Sequence, residues 1–268
     1  MTAARHWARA LEAWAIPEHI LASAPASPWG FPTSFFTEGA RRALAEPLTP
    51  THQEIAGSMP AGGVLLDVGS GAGAASVPVA PPAGRIVAVD QDPAMLQALA
   101  QVAAGRVPVS LVEGIWPDVA GQAGPADVVV CANVAYNVGS LGSFVAALTS
   151  AARHRVVLEL SAVHPQSSLS PLWQQFWNLS RPTGPTAEDA AAVVREAVGV
   201  QPAIQWWRRS WSFMGERGPS TVAWIRRRLC LPEERQAEVA AALERLPELG
   251  LSAVATISWP GRLSQKPA

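Results

Sequence analysis

The sequence has few of the features that mark disulfide-linked, zinc-binding or membrane-spanning proteins. Only two cysteines, Cys131 and Cys230, occur among 268 residues, and neither belongs to a CxxC pair, so we expect no disulfide framework and no metal site. No apolar run approaches the roughly 18 residues of a membrane helix. Arg5, Arg9 and Glu12 interrupt the stretch where a signal peptide would need an apolar run. These observations predict a protein of the reducing cytoplasm with no membrane partner.

Charge of one sign is also lacking, since the formal net charge is −1. This balance provides no basic field that would attract nucleic acid or anionic lipid. Short arginine runs occur at 208–209 and at 226–228, and we interpret the second of these as the solvated face of a helix. An RNA contact would need a broader basic patch interleaved with aromatic residues. We therefore expect a small-molecule partner and no nucleic acid, while the oligomeric state stays open.

Hydrophobic residues make up 49 % of the chain. In a helical cap segment at 1–60, Trp7, Leu11 and Trp14 recur at helical spacing. The core segment, 61–165, alternates short apolar runs with Ala-rich stretches. Its predicted strands are 64–68, 85–90, 107–113, 127–131 and 155–160, with helices predicted at 74–79, 93–103 and 141–152. Such runs suit parallel strands buried on both faces, and repeated strand–helix units predict a doubly wound α/β sheet.

The tail segment, 166–268, is expected to complete the sheet. Thr186, followed three residues later by Asp189, has the form of a helix N-cap. The last two predicted helices lie between the last two predicted strands. The fold class is therefore predicted as a mostly parallel, Rossmann-like, seven-stranded sheet with a helical and aromatic cap. Helices are predicted at 186–198, 220–230 and 232–246, and strands at 204–213 and 253–259.

A glycine-rich turn follows the first predicted strand, in the run VLLDVGSGAG. Glycines let backbone approach a ligand closely, and the N terminus of the next predicted helix would present free N–H groups to it. The second strand ends in Asp90, where an acidic residue accepts hydrogen bonds from ribose hydroxyls. Gly69, Gly71 and Ala74 also match the GxGxxA form of a dinucleotide fingerprint. Asp67, however, would repel a pyrophosphate and attract the amino group of S-adenosylmethionine (SAM), directly or through water.

LLDVGSGAG, followed by VAVDQDPAML, resembles motif I and its successor in class I SAM-dependent methyltransferases. The resemblance covers residues 63–165 and implies SAM as the cofactor. By this resemblance Asp90 binds the ribose, and Gln91 and Met95 flank the adenine. The loop on the methionine side would consist of Asp67, Gly69, Ser70, Gly71 and Gly73.

The third predicted strand leads into Gly114, Ile115 and Trp116, which we expect beside the adenine. The family often has an acidic residue after this glycine to hold the adenine amino group, and Ile115 stands there instead. The backbone N–H of Ile115, or the ring of Trp116 packed on the adenine, would replace that contact. A core position for Trp116 is the alternative.

The fourth and fifth strands end where the reactive methyl group would lie in this fold. Asn133 and Tyr136 follow the fourth strand, and we predict that they orient the acceptor, with Asn133 also touching the cofactor. Strand-end hydrogen bonds are the alternative for both. His164 follows the fifth strand and is the candidate general base, because imidazole titrates near neutral pH; a structural role is the alternative. Glu159, within that strand, would pair with an arginine.

Eleven tryptophans are present, many of them in the two segments that would cap the strand ends. An aromatic cap suits a flat, apolar or cationic acceptor, although packing of cap on core is the alternative for most of these rings. We predict SAM-dependent O-, N- or C-methylation of a small molecule. RNA or protein methylation, NAD(P)-dependent oxidoreduction and SAM binding without transfer are the alternatives. The predicted acceptor pocket is lined by Trp29, Phe31, Phe35, Tyr136, Trp173 and Trp177.

Overall fold

The computed structural model describes residues 1–209, 218–246 and 253–262. Strands within these ranges are β1 Val64–Val68, β2 Arg85–Asp90, β3 Val109–Glu113, β4 Ala126–Ala132, β5 Ala152–Ser161, β6 Ala203–Arg208 and β7 Ala253–Pro260. They form one sheet in the order β3-β2-β1-β4-β5-β7-β6. Strands β1 to β5 are parallel, whereas β7 pairs antiparallel with both β5 and β6. The predicted fold class is confirmed.

Helices cover both faces of the sheet. The α-helices in the described ranges are α1 Ala3–Glu12, α2 Glu18–Ser23, α3 Thr33–Ala45, α4 Pro50–Ser58, α5 Pro93–Ala103, α6 Ala120–Ala123, α7 Leu141–Ala151, α8 Ser170–Trp177, α9 Ala187–Val198, α10 Pro219–Arg228 and α11 Gln236–Glu244. On one face α1, α7 and α9 pack over a core that includes Leu66 and Val129. On the other, α4 and α5 cover Leu65 and Val128. Neighbouring strand residues thus point to opposite, buried faces, as a parallel sheet requires.

The helix predicted at 74–79 is wrong. Turns follow the glycine-rich loop and lead to a short 3-10 helix at Val77–Val79. Pro78, Pro81 and Pro82 account for the difference, because a proline lacks the N–H that an α-helix needs and clashes with the preceding turn. Among the described residues, no α-helix N terminus directly follows this loop, so the N–H groups expected to face a ligand would be those of the loop backbone itself.

The tail has the predicted order of elements. Thr186 caps α9 in a capping box with Asp189, and α10 and α11 lie between β6 and β7 in the chain. The strand predicted at 204–213 ends at Arg208, and residues 210–213, with Trp211, lie outside the described residues. Along the described ranges, no helix combines the length and apolarity needed to cross a bilayer.

A third hydrophobic cluster, the cap cluster, joins the N-terminal segment to the tail. Ile20 of α2 packs there with Leu172 of α8, Ile225 of α10 and Leu243 of α11. None of these residues belongs to the two clusters that flank the sheet. The division of the chain into segments 1–60, 61–165 and 166–268 stays a prediction.

Candidate cofactor and acceptor site

The glycine-rich loop after β1 lies against the ends of β2 and β4. Gly69, Gly71 and Gly73 have positive φ angles of 69°, 49° and 87°, a region that other residues rarely adopt. A Cβ on Gly69 would stand 2.3 Å from Cγ2 of Val134, so the close approach of the β4 end also requires glycine. The Gly69 N–H donates to the Val89 carbonyl over 2.8 Å, which ties the loop to β2.

Asp90, at the end of β2, braces the loop from the other side. Its Oδ2 accepts a 2.8 Å hydrogen bond from the Gly71 N–H, and its Oδ1 accepts one of 3.0 Å from the Asp92 N–H. Asp92 is the N-cap of α5, since its Oδ1 accepts from the Ala94 N–H over 2.9 Å. A carboxylate oxygen accepts more than one hydrogen bond, so Asp90 keeps capacity for ribose hydroxyls.

Asp67 lies next to the loop with only 1 % of its surface exposed. Within the described ranges, neither its Oδ2 nor Oγ of Ser70 has a hydrogen-bond partner. Burial raises the pKa of Asp67 to about 7, against the opposing effect of the Ser76 hydroxyl and with a contribution from the charge of Asp90. A buried carboxylate without a cation is unfavourable, so the loop suits a ligand that brings a positive group to this point.

The residues predicted to contact adenine lie around the ends of β2 and β3. The Gly114 N–H donates to the carbonyl of the last β2 residue over 2.9 Å. Ile115 is 60 % exposed and Gln91 is exposed, whereas Met95 is buried. Trp116 is 6 % exposed and belongs to the core cluster that includes Leu66 and Val129, which is the alternative position expected for it. Its Nε1 has no hydrogen-bond partner in the described part of the chain.

Asn133 directly follows β4 and has a left-handed conformation, with φ of 61°. Its N–H donates to the Glu159 carbonyl over 2.8 Å, and its Nδ2 donates to Oε1 of the same residue over 3.1 Å. Glu159 is buried and forms an ion pair with Arg209, so the arginine pairing expected for it is confirmed. This network holds Asn133 in place, and the next residue, Val134, packs against Gly69 of the glycine-rich loop.

Tyr136 lies in a 3-10 turn after β4. Its hydroxyl donates to the Ser161 carbonyl over 2.8 Å, and its ring stacks on Trp7 with centroids 5.5 Å apart. Burial raises the pKa of the phenol well above its usual range. The hydroxyl is therefore neutral and already bonded, and the predicted acceptor contact of Tyr136 stays a prediction.

His164 stacks on Trp14 with centroids 4.0 Å apart, and its Nδ1 accepts a 3.2 Å hydrogen bond from the Gln166 N–H. Burial and, after it, the charges of Arg181 and Arg228 lower the pKa of His164 to about 4. The ring is thus neutral at pH 7. Because Nδ1 accepts, the proton lies on Nε2, and His164 presents a hydrogen-bond donor. This state favours positioning over proton abstraction.

We expect NMR titration of the imidazole C–H resonances to give His164 a midpoint near pH 4. The resonance is assigned by its loss in His164→Gln. A His164 midpoint near the ordinary value of about 6.5 would contradict the packing described above.

The six residues predicted to line an acceptor pocket occupy different environments. Trp29 is 53 % exposed, whereas Trp173 is 2 % exposed within the cap cluster. Phe31 and Phe35 are half-buried and stack with centroids 5.0 Å apart. Trp177 packs on the cap cluster, and its Nε1 donates to a backbone carbonyl of the tail over 2.7 Å. Phe31 and Phe35 thus contact each other directly, and Trp29 and Phe31 both lie beside the guanidinium of Arg228. Tyr136 belongs instead to the turn after β4.

The structure also brings forward residues that the sequence patterns did not indicate. Cδ1 of Phe36 lies 3.5 Å from where a Cβ on Gly71 would stand, so this ring covers the loop. Arg181 and Arg228 affect His164, as described above. The interpretation of 226–228 as a solvated face is wrong for Arg228, which is 6 % exposed. The spacing of Arg228 from the apolar or small residues Thr221 and Ile225 could have indicated its burial, because positions i, i+4 and i+7 share one helix face.

Comparisons with known proteins agree with this geometry. Residues 65–155 match the family model described as "Methyltransferase domain". No curated protein gives a significant sequence match. The YcgJ protein from Bacillus subtilis gives a TM-score of 0.53 at 16 % identity, covering 79 % of this chain and 98 % of that chain.

Two further solved structures have the same fold. A SAM-dependent methyltransferase from Thiobacillus denitrificans, in complex with S-adenosyl-L-homocysteine, gives a TM-score of 0.51 at 17 % identity, covering 87 % of this chain and 100 % of that chain. A cyclopropane-fatty-acyl-phospholipid synthase-like protein from Lactobacillus casei gives 0.51 at 12 % identity, covering 84 % and 97 %. The resemblance to class I SAM-dependent methyltransferases is thus confirmed at the level of the fold, and residues 65–155 match the family model of the methyltransferase domain.

Proposed function

We propose that this chain transfers a methyl group from SAM to a small-molecule acceptor. The observation that carries the proposal is the buried carboxylate of Asp67 beside the glycine-rich loop, whose Oδ2 lacks a partner among the described residues. An ammonium group such as that of SAM would pair with it, whereas a dinucleotide pyrophosphate would be repelled. The Thiobacillus denitrificans neighbour, crystallised with S-adenosyl-L-homocysteine (SAH), supports the same choice.

The proposed SAM contacts come from the strand ends and from the segments that follow them. Asp90 would hold the ribose hydroxyls, and Asn133 would lie beside the methionine part. SAM, when bound, supplies a methyl group on a positively charged sulfur. The proposed methionine-side residues are Asp67, Gly69, Ser70, Gly71 and Gly73, and the proposed adenine-side residues are Gln91, Met95, Gly114, Ile115 and Trp116.

The protein's own contribution is to align the acceptor, since positioning alone supplies roughly 7–11 kcal/mol in such reactions. Phe31 and Phe35 are the proposed acceptor contacts nearest the loop, because both rings touch Phe36. Trp29, Trp173, Trp177 and Tyr136 complete the proposed lining. His164 would orient the acceptor through its Nε2 hydrogen. We place the activity in a reducing cytoplasm, where both cysteines, which are free thiols, would stay reduced.

Calorimetric titration with SAH and, separately, with NADH tests the proposal. We expect saturable binding of SAH and no heat from NADH, because Asp67 opposes a pyrophosphate. Transfer of labelled methyl from SAM to a panel of small acceptors, with bulk RNA and protein as comparison substrates, then tests the acceptor class. Binding of NADH without SAH, or labelling confined to RNA or protein, would overturn the proposal.

A further inference from the structure

We propose that the acceptor carries a carboxylate or phosphate group that binds the guanidinium of Arg228. This inference rests on the proposed function, because it names an acceptor class for the same site. Arg228 ends α10 and is 6 % exposed. Among residues that the structure describes, its Nε has no hydrogen-bond partner and no carboxylate forms an ion pair with it. Arginine is almost never fully buried without a partner, so the side chain is prepared for an anion from outside the chain.

Three aromatic rings surround the guanidinium. Its central carbon lies 4.9 Å from the ring centroid of Trp224 and 5.5 Å from those of Trp29 and Phe31. Aromatic faces attract a cation, but they do not replace the in-plane oxygen partners that the N–H fork requires. A carboxylate or phosphate supplies two oxygens in the geometry of that fork.

The aromatic cage also lies close to the proposed reaction centre. Phe31 contacts Phe36 edge-on, with centroids 5.9 Å apart, and Phe36 covers Gly71 of the glycine-rich loop. On the other side, the charge of Arg228 contributes to the lowered pKa of His164, after burial and Arg181. Arg228 therefore lies beside Phe31, a proposed acceptor contact, and within electrostatic range of His164.

A second arginine and several polar atoms extend the same region. Arg181 donates to the carbonyls of Trp14 and Ala15 through its Nη atoms, and its buried Nε is left without a partner in the described ranges. The turn after His164 adds three buried side-chain oxygens that also lack partners there, on Gln166, Ser167 and Ser168. Native proteins pair nearly all buried polar atoms, so this grouping is typical of a ligand site.

The charges on the two sides of the site have opposite signs. Asp67 and Asp90 lie at the glycine-rich loop, which suits a cationic cofactor. Arg181 and Arg228 lie in the cap, which suits an anionic acceptor. The attraction between the two ligands would also bring them together in the site.

Calorimetry with three probes of matched shape tests the anion site. Benzoate and benzamide share one ring and differ in charge, and phenyl phosphate separates phosphate from carboxylate recognition. Each is titrated into the full chain with and without saturating SAH. We expect at least one anion to bind about tenfold or more tightly than benzamide, since each tenfold corresponds to 1.4 kcal/mol and a charge-assisted pair typically exceeds that.

The preference should disappear in Arg228→Met and persist in Arg227→Met. Arg227 is the matched control, because it belongs to the same helix and donates to the Gly30 carbonyl over 3.2 Å. Arg228→Lys keeps the charge without the fork and should retain part of the preference; it replaces the Met variant if that variant does not fold. Equal binding of benzoate and benzamide, no binding of any probe, or an unchanged preference in Arg228→Met would overturn the proposal.

The SAH titration separates this inference from the proposed function. If SAH does not bind while the anion preference persists without it, the proposed function fails and the anion site stands. Arg228 would instead serve the carboxylate of the cofactor if Arg228→Met weakened SAH but not decarboxylated SAH and left benzoate binding unchanged. That result would overturn the anionic acceptor.

Discussion

Asp90→Ala should weaken the binding of SAH about 100-fold or more. A hydrogen bond to a charged group is typically worth about 1.5–3 kcal/mol, and the proposed ribose contact has two, so the loss converts to at least two factors of ten in affinity. The carboxylate also holds the Gly71 N–H over 2.8 Å. Alanine therefore removes a ligand contact and releases the loop that surrounds the ligand. Calorimetric dissociation constants of the variant and the parent chain measure the effect.

Asp92→Ala is the matched control, because it truncates the same side chain two residues further on. Asp92 caps α5, since its Oδ1 accepts a hydrogen bond from the Ala94 N–H. Loss of an N-cap costs about 1 kcal/mol of stability, which a denaturant midpoint would detect, while the affinity for SAH should stay unchanged. If Asp92→Ala lost SAH binding and Asp90→Ala retained it, the assignment of the ribose contact would be wrong.

The strands of the core could be predicted from the sequence because their signal is local. β1 and β2 begin and end where the apolar runs do, at 64–68 and 85–90, since a strand buried on both faces needs nearly every residue apolar. The glycine-rich loop could also be predicted from local sequence, because its glycines adopt positive φ angles that other residues rarely adopt. Local chemistry therefore indicated the proposed cofactor side of the site.

The contacts around the proposed acceptor side could not be predicted in this way, because they join distant parts of the chain. Phe36 meets Gly71, and Arg228 meets Trp29 and Phe31, and no sequence spacing links these residues. Charge also misled the interpretation of 226–228, since an arginine run is usually solvated. The residues at 74–79 have a composition that favours a helix, but the prolines after the loop prevent an α-helix there, because proline lacks the N–H that the helix needs.

Asp67→Asn should stabilise the protein without ligand at pH 8 and weaken its binding of SAH. The pKa of Asp67 is raised from 3.8 to about 7, so the folded state binds more protons than the unfolded state between these values. Stability attributable to this group is therefore full below about pH 4 and is lost as the pH rises through 7, by roughly 4 kcal/mol at most. Asparagine does not ionise and removes this slope.

Denaturant unfolding of both proteins at pH 4.5, 6 and 8 measures the difference, because other titrating groups contribute equally to each. We expect the variant to gain on the parent as the pH rises. Asp118→Asn, at an exposed position, is the matched control for replacing an aspartate by asparagine. A variant less stable than the parent at pH 8 would show that the ionised carboxylate is already compensated in the protein alone.

The same substitution should lower the affinity for SAH by about 10- to 100-fold at pH 8, because a charge-assisted hydrogen bond of about 1.5–3 kcal/mol is lost. In the parent chain, SAH binding should also weaken as the pH falls below 7, since protonation of Asp67 removes the partner of the ligand's ammonium group; in the variant that dependence should vanish. A group that destabilises the empty site and stabilises the occupied one has opposite effects on the two measurements. Structural roles for Asp67 predict losses in both, so the signs alone distinguish a cofactor carboxylate from a core residue.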